Sequence, residues 1–303
     1  MSRGTALVLG LTANRRHTLA HALQWGMRQL WSMERGLQVA GITPFSRLPM
    51  TYAAKTYLVG AGPGDPELLT IKAAKAIAAA DVILIDDLVN RAVLQHARVD
   101  ARIVEVGKRG GCQSTPQEFI ERLMIAESRA GHCVVRLKGG DPYIFGRGGE
   151  ECAHLREAGI PVEVINGITS GLAAPASIGV PLTHRDHTQG VILVTGHGKS
   201  ADTEPDWATL AKLDLTLVIY MGIARCGEIV AALLAGGKAA DTPAAVIHAA
   251  TGTGQAHLIS TLAALPQALA ESSLGSPGII VIGDVVRCAE QLQTLAAEQA
   301  AAA

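Results

Sequence analysis

The sequence predicts two consecutive α/β domains with a ligand cleft between them. Three observations carry this. From residue 56 onward, short apolar runs alternate with helix-length segments, the pattern of repeated β-α units. Several runs, such as Val82-Ile83-Leu84-Ile85, are apolar at every position, as strands covered on both faces of a parallel sheet are. The chain has 303 residues, more than one domain usually holds, and 49% of them are hydrophobic, enough to fill two cores.

Taken in order, residues 56–60 read as a strand, followed by a Gly/Pro turn and an Ala-rich helix over 66–80. A strand at 81–86, a helix at 91–97, a strand at 102–106 and a helix at 116–130 come next. A strand at 132–137, a helix at 146–158 and a strand at 161–165 complete the first set. The stretch 166–187 is rich in Gly, Pro, Ser and Thr, carries a helix at 170–178, and marks the domain junction. The second set has strands at 191–195, 215–220, 244–247, 257–260 and 278–283, with helices at 207–212, 226–235 and 262–271. The expected division is an N-terminal α/β domain over 53–166, a C-terminal α/β domain over 167–292 and an Ala-rich tail over 293–303. Residues 1–52 stand apart. They hold Trp25 and Trp31, the basic run Asn14-Arg15-Arg16-His17, a helix-like stretch over 19–38 and a Pro-containing linker over 41–50. They are expected to lie outside the main fold, and Met50 is an alternative start.

Composition excludes several classes. A net charge of -1 argues against a general nucleic-acid or anionic-membrane binder. Aromatic residues at 3% are too few for a base-stacking platform. No apolar run reaches the ~18 residues of a membrane span, and no basic stretch leads into a signal-like apolar segment. Cys112, Cys133, Cys152, Cys226 and Cys288 are scattered and never form C-x-x-C, so neither a disulfide framework nor a thiolate zinc site is expected. These features fit a chain of the reducing cytoplasm.

The chemistry concentrates in the loops that leave strands. Gly60-Ala61-Gly62-Pro63-Gly64-Asp65-Pro66 joins a strand to a helix, and its glycines let a ligand approach the backbone. Asp65 is placed to cap that helix, with Pro66 in its first turn. The dinucleotide fingerprint G-x-G-x-x-G would need Gly where Asp65 stands, and the phosphate loop G-x-x-x-x-G-K-[ST] is absent. Asp86 lies roughly where a ribose-binding acid would fall, which keeps a dinucleotide fold as the second reading. A second Gly-Asp-Pro turn occurs in Lys138-Gly139-Gly140-Asp141-Pro142, inside a run that continues through Arg147-Gly148-Gly149-Glu150. Two such turns suit a ligand with hydroxyls and a positive centre better than a polyphosphate.

Val106-Gly107-Lys108-Arg109-Gly110-Gly111 adds another strand exit with two cations. With Lys138 and Arg147 it makes a cationic edge suited to a polycarboxylate or phosphate. Asp86-Asp87 closes the second strand, at the sheet edge where ligands of open α/β sheets bind. Beyond the junction, Asn166-Gly167-Ile168-Thr169-Ser170 offers hydroxyls and a helix N-terminus. Pro181-Leu182-Thr183-His184-Arg185-Asp186-His187 is densely polar. His184 and His187 have no third ligand at metal spacing, so no metal site is expected, and Arg185 reads as a substrate cation or a partner of Asp186. Met221 precedes a strand-exit glycine.

These segments together resemble one family. Tyr57-Leu-Val-Gly-Ala-Gly-Pro-Gly-Asp-Pro-Glu67, Val106-Gly-Lys-Arg-Gly110, the run from Arg136 to Glu150, Pro181-Leu-Thr-His-Arg-Asp186 and Tyr220-Met-Gly222 resemble the S-adenosylmethionine-dependent tetrapyrrole methylases, in particular the uroporphyrinogen-III C-methyltransferase group. The resemblance covers about three quarters of the chain, from Thr56 to Arg287, and not residues 1–52.

It implies a homodimer of two α/β domains with the cofactor in the interdomain cleft. It implies cofactor contacts at Pro63, Gly139, Gly140, Asp141, Ile144, Thr169, Ser170, Met221 and Ala250, the last where relatives usually have Gly. It implies Asp86 as proton acceptor and Lys108 as proton donor. Arg109, Lys138, Arg147 and Arg185 are then the cations for the tetrapyrrole carboxylates. The implied reaction is methylation of uroporphyrinogen III at C2 and C7 to precorrin-2, for sirohaem, cobalamin or haem d1. The alternatives are another methylase of the same fold, a nicotinamide-dinucleotide oxidoreductase, or a sensor that binds the cofactor without transfer.

Overall fold

The computed structural model of the chain describes residues 56–107, 115–198 and 203–289. The N-terminal extension and the Ala-rich tail expected from the sequence lie outside the described residues, as do Cys112 and the Lys108-Arg109 pair.

The first sheet contains β1 (Thr56–Gly60), β2 (Val82–Ile85), β3 (Arg102–Glu105), β4 (Val134–Lys138) and β5 (Val162–Ile165), in the order β3-β2-β4-β1-β5. All its pairings are parallel. β1, β2 and β4 are buried along their whole length, which explains why the sequence shows no alternation there. Helices α1 (Ile71–Ala79), α2 (Gln117–Arg129) and α3 (Gly148–Glu157) connect them. On one face Leu58, Leu84 and Val134 pack with Ile120 and Met124 of α2 and Cys152 and Leu155 of α3.

Two expected helices come out differently. Residues 66–80 divide into a 3-10 turn, Pro66–Leu68, and α1, because Leu69 and Thr70 are extended and Thr70 caps α1 by accepting from the Ala73 N–H. The 91–97 segment is a 3-10 helix, Arg91–His96, opened by Asn90. Asp65 caps the first turn as the sequence predicts, accepting from the Glu67 N–H at 2.8 Å.

The chain passes to the second sheet through residues 166–169 and α4 (Ser170–Ser177). That sheet runs β6-β7-β10-β8-β9, with β6 (Val191–Thr195), β7 (Thr216–Tyr220), β8 (Pro243–His248), β9 (Ala256–Thr261) and β10 (Gly278–Ile282). Only β6 and β7 pair in parallel; the rest is antiparallel. Leu217, Ile219, Val246 and Ile280 pack under α5 (Trp207–Ala211), α6 (Cys226–Ala235) and α7 (Leu265–Glu271). Val218, Ala245, Ile247 and Val281 pack on the other side with Ala174 of α4. The expected 262–271 helix starts at Leu265, with Pro266 in its first turn. Cys133, Cys152, Cys226 and Cys288 are free thiols, and burial pushes that of Cys226 up to about 11. Among the described residues, no helix is long and apolar enough to cross a membrane.

Candidate active site

Parallel pairing brings the C-terminal ends of β1, β2 and β4 to one edge, so the Gly60–Pro66 loop, the Lys138–Pro142 loop and Asp86 meet there, while most of the 106–111 loop lies outside the described residues. The β1 and β4 exits hydrogen-bond each other. Gly62 donates to the Gly140 carbonyl at 3.2 Å, and Gly140 donates back to Gly62 at 2.7 Å. Glycine is required by the crowding beneath them. A Cβ on Gly60 would lie 2.4 Å from the Gly167 nitrogen, and one on Gly167 would lie 2.1 Å from the Gly140 oxygen. Gly140 itself has φ 65°, a left-handed conformation that side chains resist.

Asp141 anchors this crossing. Its carboxylate accepts from the Tyr143 N–H at 2.8 Å, and from Asn166 Nδ2 and the Gly167 N–H, both at 3.1 Å. It therefore ties the β4 exit to the β5 exit. Pro63 is half-buried on the first bend; Ile144 packs against the second sheet's core.

Two ties fasten this edge of the first sheet to the second, one at the 169–171 segment after β5 and one at the first bend. Tyr220, the last residue of β7, places its hydroxyl 2.7 Å from Thr169 Oγ1 and accepts from the Gly171 N–H at 2.8 Å. Burial raises its phenol above the ordinary range. Thr251 Oγ1 accepts from the Asp65 N–H at 3.0 Å, and Asn90 holds the Gly64 carbonyl at 2.7 Å from the first sheet. Ala250 is buried beside it, with its carbonyl facing Gly64. Backbone strain collects on the same loops. The non-glycine residues with positive φ among those described are Phe145, Arg147, Met221, Ala249 and Thr251, all after β4, β7 or β8. Strain of this kind persists where a site over-determines the backbone. Met221 is 53% exposed despite its apolar side chain.

The charged part lies under the β2 and β4 ends. Asp86 follows β2 and keeps its carboxylate 28% exposed. Arg136 Nη2 donates to Asp86 Oδ1 at 2.7 Å, and Lys138 Nζ lies 3.8 Å from Asp86 Oδ2. Both cations also reach Glu151 Oε1 in the first turn of α3, each at 3.2 Å. Lys138 departs from expectation. It is 5% exposed, and its ammonium is committed to Glu151 and Asp86 rather than open to a ligand carboxylate. Burial, reinforced by Arg136, lowers its proton affinity. The other two described cations of the expected substrate set, Arg147 and Arg185, face outward. Arg147 precedes α3 and pairs with Glu150, whose hydrogen bond raises its proton affinity further; Arg185 is exposed. Asp186 sits 3.8 Å from His184 Nδ1, not against Arg185. Arg136, Glu151, Asn90 and Thr251 were not singled out from the sequence. For Arg136 the signal was there: in Val134-Val135-Arg136-Leu137-Lys138 both cations fall on the parity of Val134, the face that packs on α2 and α3.

Comparison with known proteins matches residues 55–266 to the model of the tetrapyrrole (corrin/porphyrin) methylases. The chain is 54% identical over 235 residues to a uroporphyrinogen-III C-methyltransferase of Pseudomonas aeruginosa, covering 78% of this chain and 95% of that protein. It is 48% identical over 245 residues to a protein of the same name from Bacillus subtilis, covering 80% and 95%. Among solved structures it is similar to the uroporphyrin-III C-methyl transferase of Thermus thermophilus complexed with S-adenyl homocysteine. That match has 39% identity and a TM-score of 0.66, covering 77% of this chain and 93% of the other.

Proposed function

The chain belongs to the tetrapyrrole methylase family, and from that premise we propose that it is a methyltransferase that uses S-adenosylmethionine to methylate uroporphyrinogen III at C2 and C7, giving precorrin-2. The observation that carries the reading is the pair of cross-bonded glycine bends fastened to the second sheet at Tyr220 and Thr251. It makes a cleft wall of open backbone, hydroxyls and apolar side chains.

The residues present fit the donor. Gly139 and Gly140 permit close approach to main-chain polar groups; Thr169 and Ser170 carry hydroxyls; Pro63, Ile144, Met221 and Ala250 are apolar. Asp141 contributes through its fixed loop, since both its oxygens already accept bonds within the protein. When bound, the donor supplies a methyl group made electrophilic by its sulfonium, and S-adenosyl-L-homocysteine is left.

The chain's own residues do the rest. Asp86 accepts the proton that the ring must lose once methylation has left it positively charged, and Lys108 donates a proton elsewhere on the macrocycle. Arg109, Arg147 and Arg185 bind the substrate's carboxylates, while Lys138 works from inside, on Asp86. Holding donor and acceptor in line contributes much of the acceleration. The working form is a homodimer in the cytoplasm, and its product feeds sirohaem, cobalamin or haem d1.

The test is incubation of the purified chain with uroporphyrinogen III and methyl-labelled donor, followed by mass measurement of the tetrapyrrole. One or two added methyl groups are expected. Binding of the donor with no gain in mass would leave only a sensor, and a nicotinamide-dependent absorbance change would favour an oxidoreductase.

A further inference from the structure

Beneath the site, Asp86, Arg136, Lys138 and Glu151 form a four-charge cluster of zero net charge. Parallel register explains how it forms. Leu58, Leu84 and Arg136 lie abreast, so the next residues on that face are Gly60, Asp86 and Lys138. Glu151 enters from the first turn of α3 and has no exposed surface. Its carboxylate is used unevenly. Oε1 takes Arg136, Lys138 and Gln117 Nε2, the last at 3.0 Å, whereas Oε2 is buried with no hydrogen-bond partner among the described residues. Burying a charged group half-satisfied costs stability, and an apolar residue of similar volume would cost less. An arrangement retained against that cost calls for a functional explanation.

We propose that Glu151 is a positioning residue: by holding Arg136 and Lys138 on one oxygen, it shares out their charge and keeps Asp86 basic enough to accept a proton. This rests on the reading of Asp86 as the proton acceptor. Among the described residues, the charged groups around Asp86 are Arg136 and Lys138 from β4 and Glu151 from α3, with Asp87 next in the chain. Gln117 from α2 is neutral, and Arg147 lies near enough to Glu151 to feel its charge. Without Glu151, both cations fall to Asp86 alone and hold it as an anion. Without Lys138, Asp86 loses one of its two cations and becomes more basic. The two substitutions therefore act in opposite directions, which a merely structural role would not produce.

The experiment compares steady-state methyl transfer across pH for the full chain, Glu151→Gln, Lys138→Gln and Asp86→Asn, with donor and tetrapyrrole affinities measured alongside. Glu151→Gln is expected to lower kcat about tenfold with KM unchanged, and to move the acid limb about one pH unit down. Lys138→Gln is expected to move that limb up. An unmoved limb in Glu151→Gln, or a shift of both variants in the same direction, overturns the proposal. If Glu151→Gln does not fold, Lys138→Gln decides, and a limb that stays or falls overturns it. Asp86→Asn separates the two layers. Full activity there removes the proton acceptor itself, whereas slow transfer by Asp86→Asn with unshifted limbs in the other variants removes only the role of Glu151.

Discussion

In the first sheet every strand runs the same way; in the second, β6, β7 and β8 share a direction and β9 and β10 oppose it. The central strands of both sheets are well buried, yet the sheets carry different loads. The parallel sheet gathers its C-terminal ends at one edge, and with them the glycine bends, Asp86 and the Arg136-Lys138 pair. The mixed sheet brings to the site the strained exits at Met221 and at Ala249–Thr251, while its interior is almost wholly apolar. Strand direction thus divides the labour. One sheet carries the charge and the glycine bends, and the other is fastened to that edge through Tyr220 and Thr251.

Substitutions can break that division. Gly60→Ala is expected to have the largest effect, because the added carbon meets fixed backbone of both neighbouring exits. A loss of about 3 kcal/mol or more, read from the denaturant midpoint, should come with loss of donor binding. Leu217→Ala, in the interior of the second sheet, should cost about 3 kcal/mol by the same measurement. Where the protein remains folded, its kcat should be unchanged; a fall in kcat would mean that the second sheet does more than hold the cleft. Tyr220→Phe sharpens the comparison at the seam. It strands the buried Gly171 N–H and should cost about 1–2 kcal/mol, seen as a weaker Kd for the donor with little change in kcat.

The fold was legible because most of its strands are short, largely apolar runs and its loops are rich in glycine and proline. β1 and α6 appear within the residues that the sequence predicts, and the remaining strands shift by no more than two residues at an end. The helix over 66–80 was not fully legible. Ala-rich composition favours continuity, but Thr70 makes a competing cap that only the packed loop selects. Of the site, the crossed glycine bends could be read from the Gly-Asp-Pro turns. The ion cluster could not, since Glu151 reaches Arg136 and Lys138 across a helix-sheet interface that no local spacing encodes. Lys138 was misread for the same reason: a cation beside glycines reads as open until the strand parity is followed inward.

The most direct test of a donor cleft closed by both sheets is calorimetric titration of S-adenosyl-L-homocysteine into the full chain and into Gly140→Val, whose side chain would project toward Thr169 and Ser170. The unsubstituted chain should bind, and the variant, still folded by circular dichroism, should bind at least about 100-fold more weakly, as expected when a side chain fills space that a ligand needs. Equal affinity in the two proteins would contradict the cleft.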